Sequence, residues 1–384
     1  MPTRLLILSA CLAIPTAMLG CTTSSSSSDS STEADDTASP AIGAVSLANP
    51  YDVDHDAWQS LGFRWGWTSR PPIINGESIE FADAFDDVVV VQDSGSMVSV
   101  IDRATGRVRW NKQVRRTNTR FLGNVRRDDS IVIANETELF EFDLRTGNTI
   151  DRTQLNTIAT TRPTLFENLA IFGTASGRVI AMDTNNKVRA WEYQLDGLIE
   201  TPPVKIDDFT VGAISTKGEL RVLDIETART MADGRISGDS ASDIVTDGYL
   251  IFIGSHDQSL YAYDAEYGTR VWRKRSSRPV TVQPVLVDGI LYATTADDGF
   301  HAIDGETGDV LWSDVDLAGW VVTTADGDLM VWTGRELVRV DADRGDVISR
   351  AALSGVSGLR SNSPFDGDIF LISGDGAVAK FEQR

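Results

Sequence analysis

Histidine and cysteine are nearly absent from this chain. Three histidines, His55, His256 and His301, are scattered through 384 residues, and both cysteines, Cys11 and Cys21, fall near the N-terminus. Little room is left for a histidine-rich metal centre or for a disulfide framework in the body of the chain. Basic residues are in deficit as well, with 35 Lys and Arg against 56 Asp and Glu and a formal charge of −21. Neutralising phosphates needs an excess of Lys and Arg, so the balance argues strongly against a nucleic-acid partner. No Gly-rich phosphate loop and no G-x-S-x-G nucleophile elbow occurs. Turn chemistry is plentiful instead. The 32 glycines and 12 prolines, in a chain that is 41% hydrophobic, describe a globular body with many turns.

The first residues read as an address. Arg4 supplies a positive start and residues 5–17 an apolar stretch too short to span a bilayer comfortably. Met18-Leu19-Gly20-Cys21 follows and resembles the lipobox of bacterial lipoproteins. That resemblance implies removal of residues 1–20 and lipidation of Cys21, leaving a mature chain with no disulfide in an oxidising compartment. Residues 21–57 are rich in Ser, Thr, Asp and Glu and cannot bury enough apolar area to offset chain entropy, so they are expected to form a flexible acidic tether. Asp52, Asp54 and Asp56 copy the start of a calcium loop, but Ala57 and Phe63 stand where Gly and Glu are required, and no metal is expected. An anchor of two or three acyl chains holds a membrane stably. By the sorting rule of enteric bacteria, Thr22 after the lipidated cysteine implies the outer membrane, with the protein facing the periplasm.

From about residue 85 the chain repeats itself. Aligned aspartates fall at Asp102, Asp143, Asp183, Asp224, Asp264, Asp304 and Asp341, with Glu382 as an eighth member, at spacings of 41, 40, 41, 40, 40, 37 and 41. The residue before each is apolar, and so is the fourth before it. Thr or a substitute stands at +3 and Gly commonly at +4, as in Thr105-Gly106 and Thr307-Gly308. An Asp opening a turn accepts backbone N–H bonds and Gly supplies the positive φ that closes it, so these aspartates are expected to be structural. Trp occupies +8 in Trp110, Trp191, Trp272 and Trp312, a position suited to docking one unit on the next. Repeats two, four and seven carry Asp151, Ala232 and Ser349 there. Short apolar runs, as in Tyr249–Ile253 and Ser259–Tyr263, read as strands; four per repeat of about forty residues fit an eight-bladed β-propeller, an all-β fold, over residues 58–384. The last repeat stops at Arg384 before an outer strand, and Phe63-Arg64-Trp65-Gly66-Trp67 has the character to supply it and close the ring.

Apolar residue, Asp, two residues, Thr-Gly, three residues, Trp: this string resembles the PQQ-like, or quinoprotein-type, repeat over roughly residues 60–384. Quinoprotein dehydrogenases of that type carry a vicinal cysteine pair, a calcium site and an Asp base. The sequence has no such cysteine pair and no residue set matching the calcium site, so no cofactor and no catalysis are expected. Together with the lipobox, the tether and the stretch Asp366 to Val378, the repeats resemble the BamB family, lipoprotein propellers of the outer-membrane β-barrel assembly machine. The resemblance implies a periplasmic scaffold that contacts a BamA-like barrel-forming subunit and unfolded outer-membrane proteins. That family carries a Leu-x-Leu-Arg element in a loop between middle blades. The corresponding stretch is Leu195-Asp196-Gly197-Leu198-Ile199-Glu200, which lacks the arginine and places Glu200 there. Leu198, Ile199 and Glu200 are therefore candidate partner-binding residues; alternatively Leu198 and Ile199 lead into the core of the next blade. A propeller lipoprotein with another partner, and less readily a PQQ-dependent dehydrogenase, are the competing readings.

Overall fold

The computed structural model describes residues 39–40, 44–46, 54–114, 120–296 and 299–384. Each repeat folds into an antiparallel sheet of four strands. In the fifth, Val245–Thr246 lies innermost and pairs with Leu250–Ser255; Ser259–Asp264 follows, and Arg270–Arg275 lies outermost. Both faces of the middle strands are covered by neighbouring blades, so Leu250–Ser255 is buried along its whole length instead of alternating. The outermost strand is half exposed, which is why its sequence is the most polar of the four.

Eight such sheets follow in chain order, at 79–113, 121–154, 164–194, 204–235, 245–275, 285–314, 320–352 and 356–383. The eighth takes its outermost strand from the other end of the chain. Phe63–Arg70 pairs with Val378–Gln383, Phe63 opposite Gln383 and Ser69 opposite Val378, with a bulge between Trp65 and Trp67. The closing strand and the eight-bladed ring expected from the repeats are thus both present. The hydrophobic core is a series of seams between blades. Val88, Val90, Val98 and Val100 of blade one pack with Ile131, Ile133, Phe140 and Phe142 of blade two, and Phe300 and Ala302 of blade six pack with Leu329, Val331 and Val338 of blade seven.

Residues 1–38, including the proposed signal and Cys21, lie outside the described residues, as does Asp52. Within the stretch read as a tether, Ser39–Pro40 pairs with the outer strand of blade one, Val108–Gln113, and Ala44–Ser46 pairs with Phe63–Arg70. A short helix, His55–Ser60, begins where Asp54 accepts hydrogen bonds from the N–H groups of Asp56 (2.9 Å) and Ala57 (3.3 Å). Asp54 is therefore a helix cap. Among the described residues no helix is long and apolar enough to cross a membrane.

Candidate functional site

The repeated aspartates all do the same local work. Asp143 Oδ1 accepts from the N–H of Thr146 (2.6 Å) and of Arg145 (3.1 Å) and from the Thr146 hydroxyl (2.7 Å). Asp102, Asp183, Asp224, Asp264, Asp304 and Asp341 each accept the N–H three residues on, at 2.7–2.9 Å. The Thr146 hydroxyl, then the backbone N–H groups, hold the Asp143 carboxyl below the usual carboxylate range; Thr227 does the same for Asp224, and the N–H of Thr307 for Asp304. Each carboxylate thus closes its own turn.

The tryptophans lock each turn to the preceding blade. Trp110 Nε1 donates to the carbonyl of Leu144 (3.0 Å), Trp191 to Ile225 (2.6 Å), Trp272 to Gly305 (2.8 Å) and Trp312 to Ala342 (2.8 Å). Every acceptor is the residue after the aspartate of the next blade. Trp67 of the closing strand does the same to Arg103 at 2.9 Å, which carries the lock across the joint of the ring. Beneath the rings of Trp67, Trp110, Trp272 and Trp312 lies the turn glycine, whereas the turn against Trp191 carries Ala228 at that position, at φ +58°. A Cβ on Gly147 would stand 2.7 Å from Trp110 ring carbons, one on Gly308 2.7 Å from Trp272, and one on Gly345 2.5 Å from Trp312. Gly suits those three turns twice over, for its positive φ and for the ring above it.

Where tryptophan is missing, the seam is filled otherwise. Blade two carries Asp151, and blade three carries Lys187 where glycine would stand; the two form an ion pair at 2.5 Å. Burial raises the Asp151 carboxyl, but the Lys187 ammonium and the Thr153 hydroxyl outweigh it and hold it below its usual range. A groove of about 840 Å³ opens beside this pair, walled by Ile150, Leu165 and Asn185 among others. At the seam from blade seven, Ser349 Oγ donates to the Ser60 carbonyl at 3.2 Å, and Trp58 of the N-terminal helix lies stacked on Phe381 with ring centroids 3.8 Å apart. Trp58 is 1% exposed and belongs to the core between blades seven and eight. It falls outside the repeat period, which is why the repeat pattern did not reveal it.

The candidate partner loop divides. Ile199 is wholly buried in the seam between blades three and four, against Leu195 and Val211, so it is a core residue and not a contact for a partner. Its N–H donates to Thr174 at 3.2 Å, and the Thr160 hydroxyl donates to its carbonyl. Leu198 is 42% exposed, and Glu200 is exposed on the wall of the channel mouth. The preceding blade repeats this geometry forty residues earlier: Leu155 and Ala159 are buried, and Ile158, the counterpart of Leu198, is 60% exposed. Two exposed apolar side chains therefore stand on adjacent loops joined through Thr160. The forty-residue offset from Leu198 is the signal that would have found Ile158.

Of the histidines, His301 is buried on strand Gly299–Asp304 with Nε2 2.7 Å from the Thr295 hydroxyl, and His256 is an exposed turn residue. The innermost strands and the loops before them line the central channel with Asp83, Asn124, Arg162, Asp243, Gln283 and Arg360. Arg162 Nη2 reaches Asp243 Oδ2 at 3.4 Å, from blade three to blade five.

With this geometry in view, comparison with known proteins is decisive on family. The family model described as outer membrane protein assembly factor BamB matches residues 65–193 and 234–384. The chain belongs to the BamB family. The BamB proteins of Salmonella typhimurium (strain LT2) and Escherichia coli (strain K12) are each 24% identical over 197 residues, 47% of this chain and 50% of theirs. The chain thus spans about half the length of the curated relatives it matches. BamB from Moraxella catarrhalis superposes with a TM-score of 0.62 at 20% identity, over 79% of this chain and 96% of that one. A computationally designed protein, Ika8, scores 0.66 at 14% identity over 80% of this chain and 96% of that one. Similarity of that order to a designed protein means that the structural likenesses speak for the fold alone. Between the two matched segments, residues 194–233 are unmatched by the BamB model. They hold Leu198, Glu200 and most of blade four.

Proposed function

We propose that this chain is a non-catalytic, lipid-anchored periplasmic scaffold of the outer membrane that assists the assembly and insertion of β-barrel outer-membrane proteins by docking on a BamA-like subunit. Membership of the BamB family carries this reading. Ile158 and Leu198 are the proposed contacts, since an apolar side chain on a polar rim can fill a partner's pocket, and Glu200 beside them would meet a basic group. The charge of −21 would steer the chain toward basic patches, so association should slow as salt rises. A quinone-dependent dehydrogenase is disfavoured by the residues themselves: Cys11 and Cys21 cannot form an adjacent pair, and the repeated aspartates are bound into their turns. The stretch Leu195–Glu200, which ends in Glu200 where the family's element has an arginine, supports a second reading, a scaffold of the same build with a different partner.

The test is a pair of variants read for stability and capture together. Ile158→Asp with Leu198→Asp should leave the unfolding temperature unchanged and weaken capture of the barrel-assembly subunit. Ile199→Asp buries a charge and should lower the unfolding temperature first. Full capture by the double variant would remove these loops from the interface. Cys21→Ala should release the protein from membranes, because the remaining tether is too polar to bind lipid; retention after a high-salt wash would contradict the anchor.

A further inference from the structure

The repeats converge on a channel whose polar lining does not repeat. Three adjoining hollows of about 470, 440 and 610 Å³ share Asp83, Arg162 and Asp243 in their walls. Asn124 is 4% exposed; its Nδ2 donates to Asp83 Oδ2 at 3.2 Å, and its Oδ1 is buried with no hydrogen-bond partner. Arg360 Nε donates to the Ala82 carbonyl at 2.8 Å, and burial pushes the Asp83 carboxyl up against the opposing pull of Asn124, Arg162 and Arg360. Gln283 adds an amide to the widest hollow, and Phe81 and Trp320 give it carbon surface.

We propose that this throat binds a neutral, hydroxyl-rich ligand: a saccharide unit. Each sugar hydroxyl donates and accepts at once, which matches acceptors (Asp83, held in place by Asn124, and Asp243) interleaved with donors (Arg162, Gln283, Arg360). The aromatic pair suits the C–H face of a pyranose. A free cation would face Arg162 and Arg360, and an anion would face Asp83 and Asp243, so neither gains as much as a neutral ligand. The hollows are of the size that small-molecule clefts usually have. Glu200 of the rim loop lies on the wall of one hollow, but Asp83, Asn124, Arg162, Gln283, Arg360 and Trp320 take no part in the proposed partner contact.

The test titrates the lipidated chain purified from membranes, in a detergent without sugar headgroups, with glucose, maltose and N-acetylglucosamine. Tryptophan fluorescence and saturation-transfer NMR on the sugar report binding, with spermidine and citrate as charged controls. At least one saccharide should bind saturably, and Asn124→Leu should weaken it about tenfold or more. Trp320→Leu leaves the Asp83–Asn124 hydrogen bond in place and should weaken binding as well; it carries the test if Asn124→Leu does not fold. No saturable signal from any of the three sugars would overturn the proposal. So would sugar binding indifferent to both variants, or binding of spermidine or citrate alone.

Discussion

A methyl group added at Gly147 probes the tryptophan lock directly. Two separate penalties meet there. Gly147 has φ +73°, where an L-residue pays about 1–2 kcal/mol. The new Cβ would also lie 2.7 Å from two ring carbons of Trp110, so the indole must move, at an overpacking cost of about 1–3 kcal/mol. Trp110 is 1% exposed and hydrogen-bonded to Leu144, which leaves it little freedom to give way. Gly147→Ala should therefore cost about 2–5 kcal/mol in the native background. In Trp110→Ala, itself about 3–5 kcal/mol less stable, the ring is gone and only the φ penalty remains. The two changes should be less than additive by about 1–3 kcal/mol. Gly289 has φ +79° and nothing within 4 Å of a built Cβ, so Gly289→Ala should cost the same in both backgrounds. Urea unfolding followed by far-UV circular dichroism measures all six proteins. Equal costs for Gly147→Ala with and without Trp110 would refute the stacked-glycine account.

Other expectations follow from the same seams. Asp151→Trp combined with Lys187→Gly should install the missing lock between blades two and three and raise stability by about 1–3 kcal/mol; destabilisation by the pair in thermal unfolding would show that this groove has another use. The Asp143 carboxyl is held below the value near 3.9 expected of an unfolded chain, so its contribution is fully present above that value and is lost as pH falls through the lower folded value. Asp143→Asn should then flatten the fall in unfolding midpoint below about pH 4, and an unchanged slope would dissociate the turn from acid stability. Deleting residues 58–70 removes Trp58, Phe63 and Trp67 together, all 4% exposed or less; the whole ring should lose several kcal/mol, whereas unchanged thermal unfolding would contradict the closure.

The ring was legible in the sequence because its determinants are local. Asp143, Thr146, Gly147 and the apolar residues before them sit within one turn, so their spacing survives as a period even where Trp becomes Asp151 or Ser349. The closing strand could be read as well, since Phe63 to Trp67 completes a unit that the C-terminus leaves unfinished. Trp58 could not, because it acts once, from outside the period. Lys187 was open to the same reasoning but overlooked: it replaces the glycine of the turn facing Asp151, and each substitution explains the other. The channel was hidden for the opposite reason. Asp83, Asn124, Arg162 and Asp243 occupy inward positions of different blades with different side chains, and only closure of the ring brings them together. In the proposed partner loop, Leu198 and Ile199 are adjacent in sequence yet meet opposite fates, exposed rim and buried seam, which composition alone cannot separate.

The assembly role is the central claim, and one measurement addresses it most directly. Cells producing the tagged, lipidated protein are crosslinked, the outer membrane is solubilised in mild detergent, and captured proteins are identified by mass spectrometry. A BamA-like barrel-forming subunit should be recovered with the wild type and depleted with the Ile158→Asp, Leu198→Asp double variant. Recovery of other proteins without that subunit, from preparations in which the ring is intact, would contradict the account.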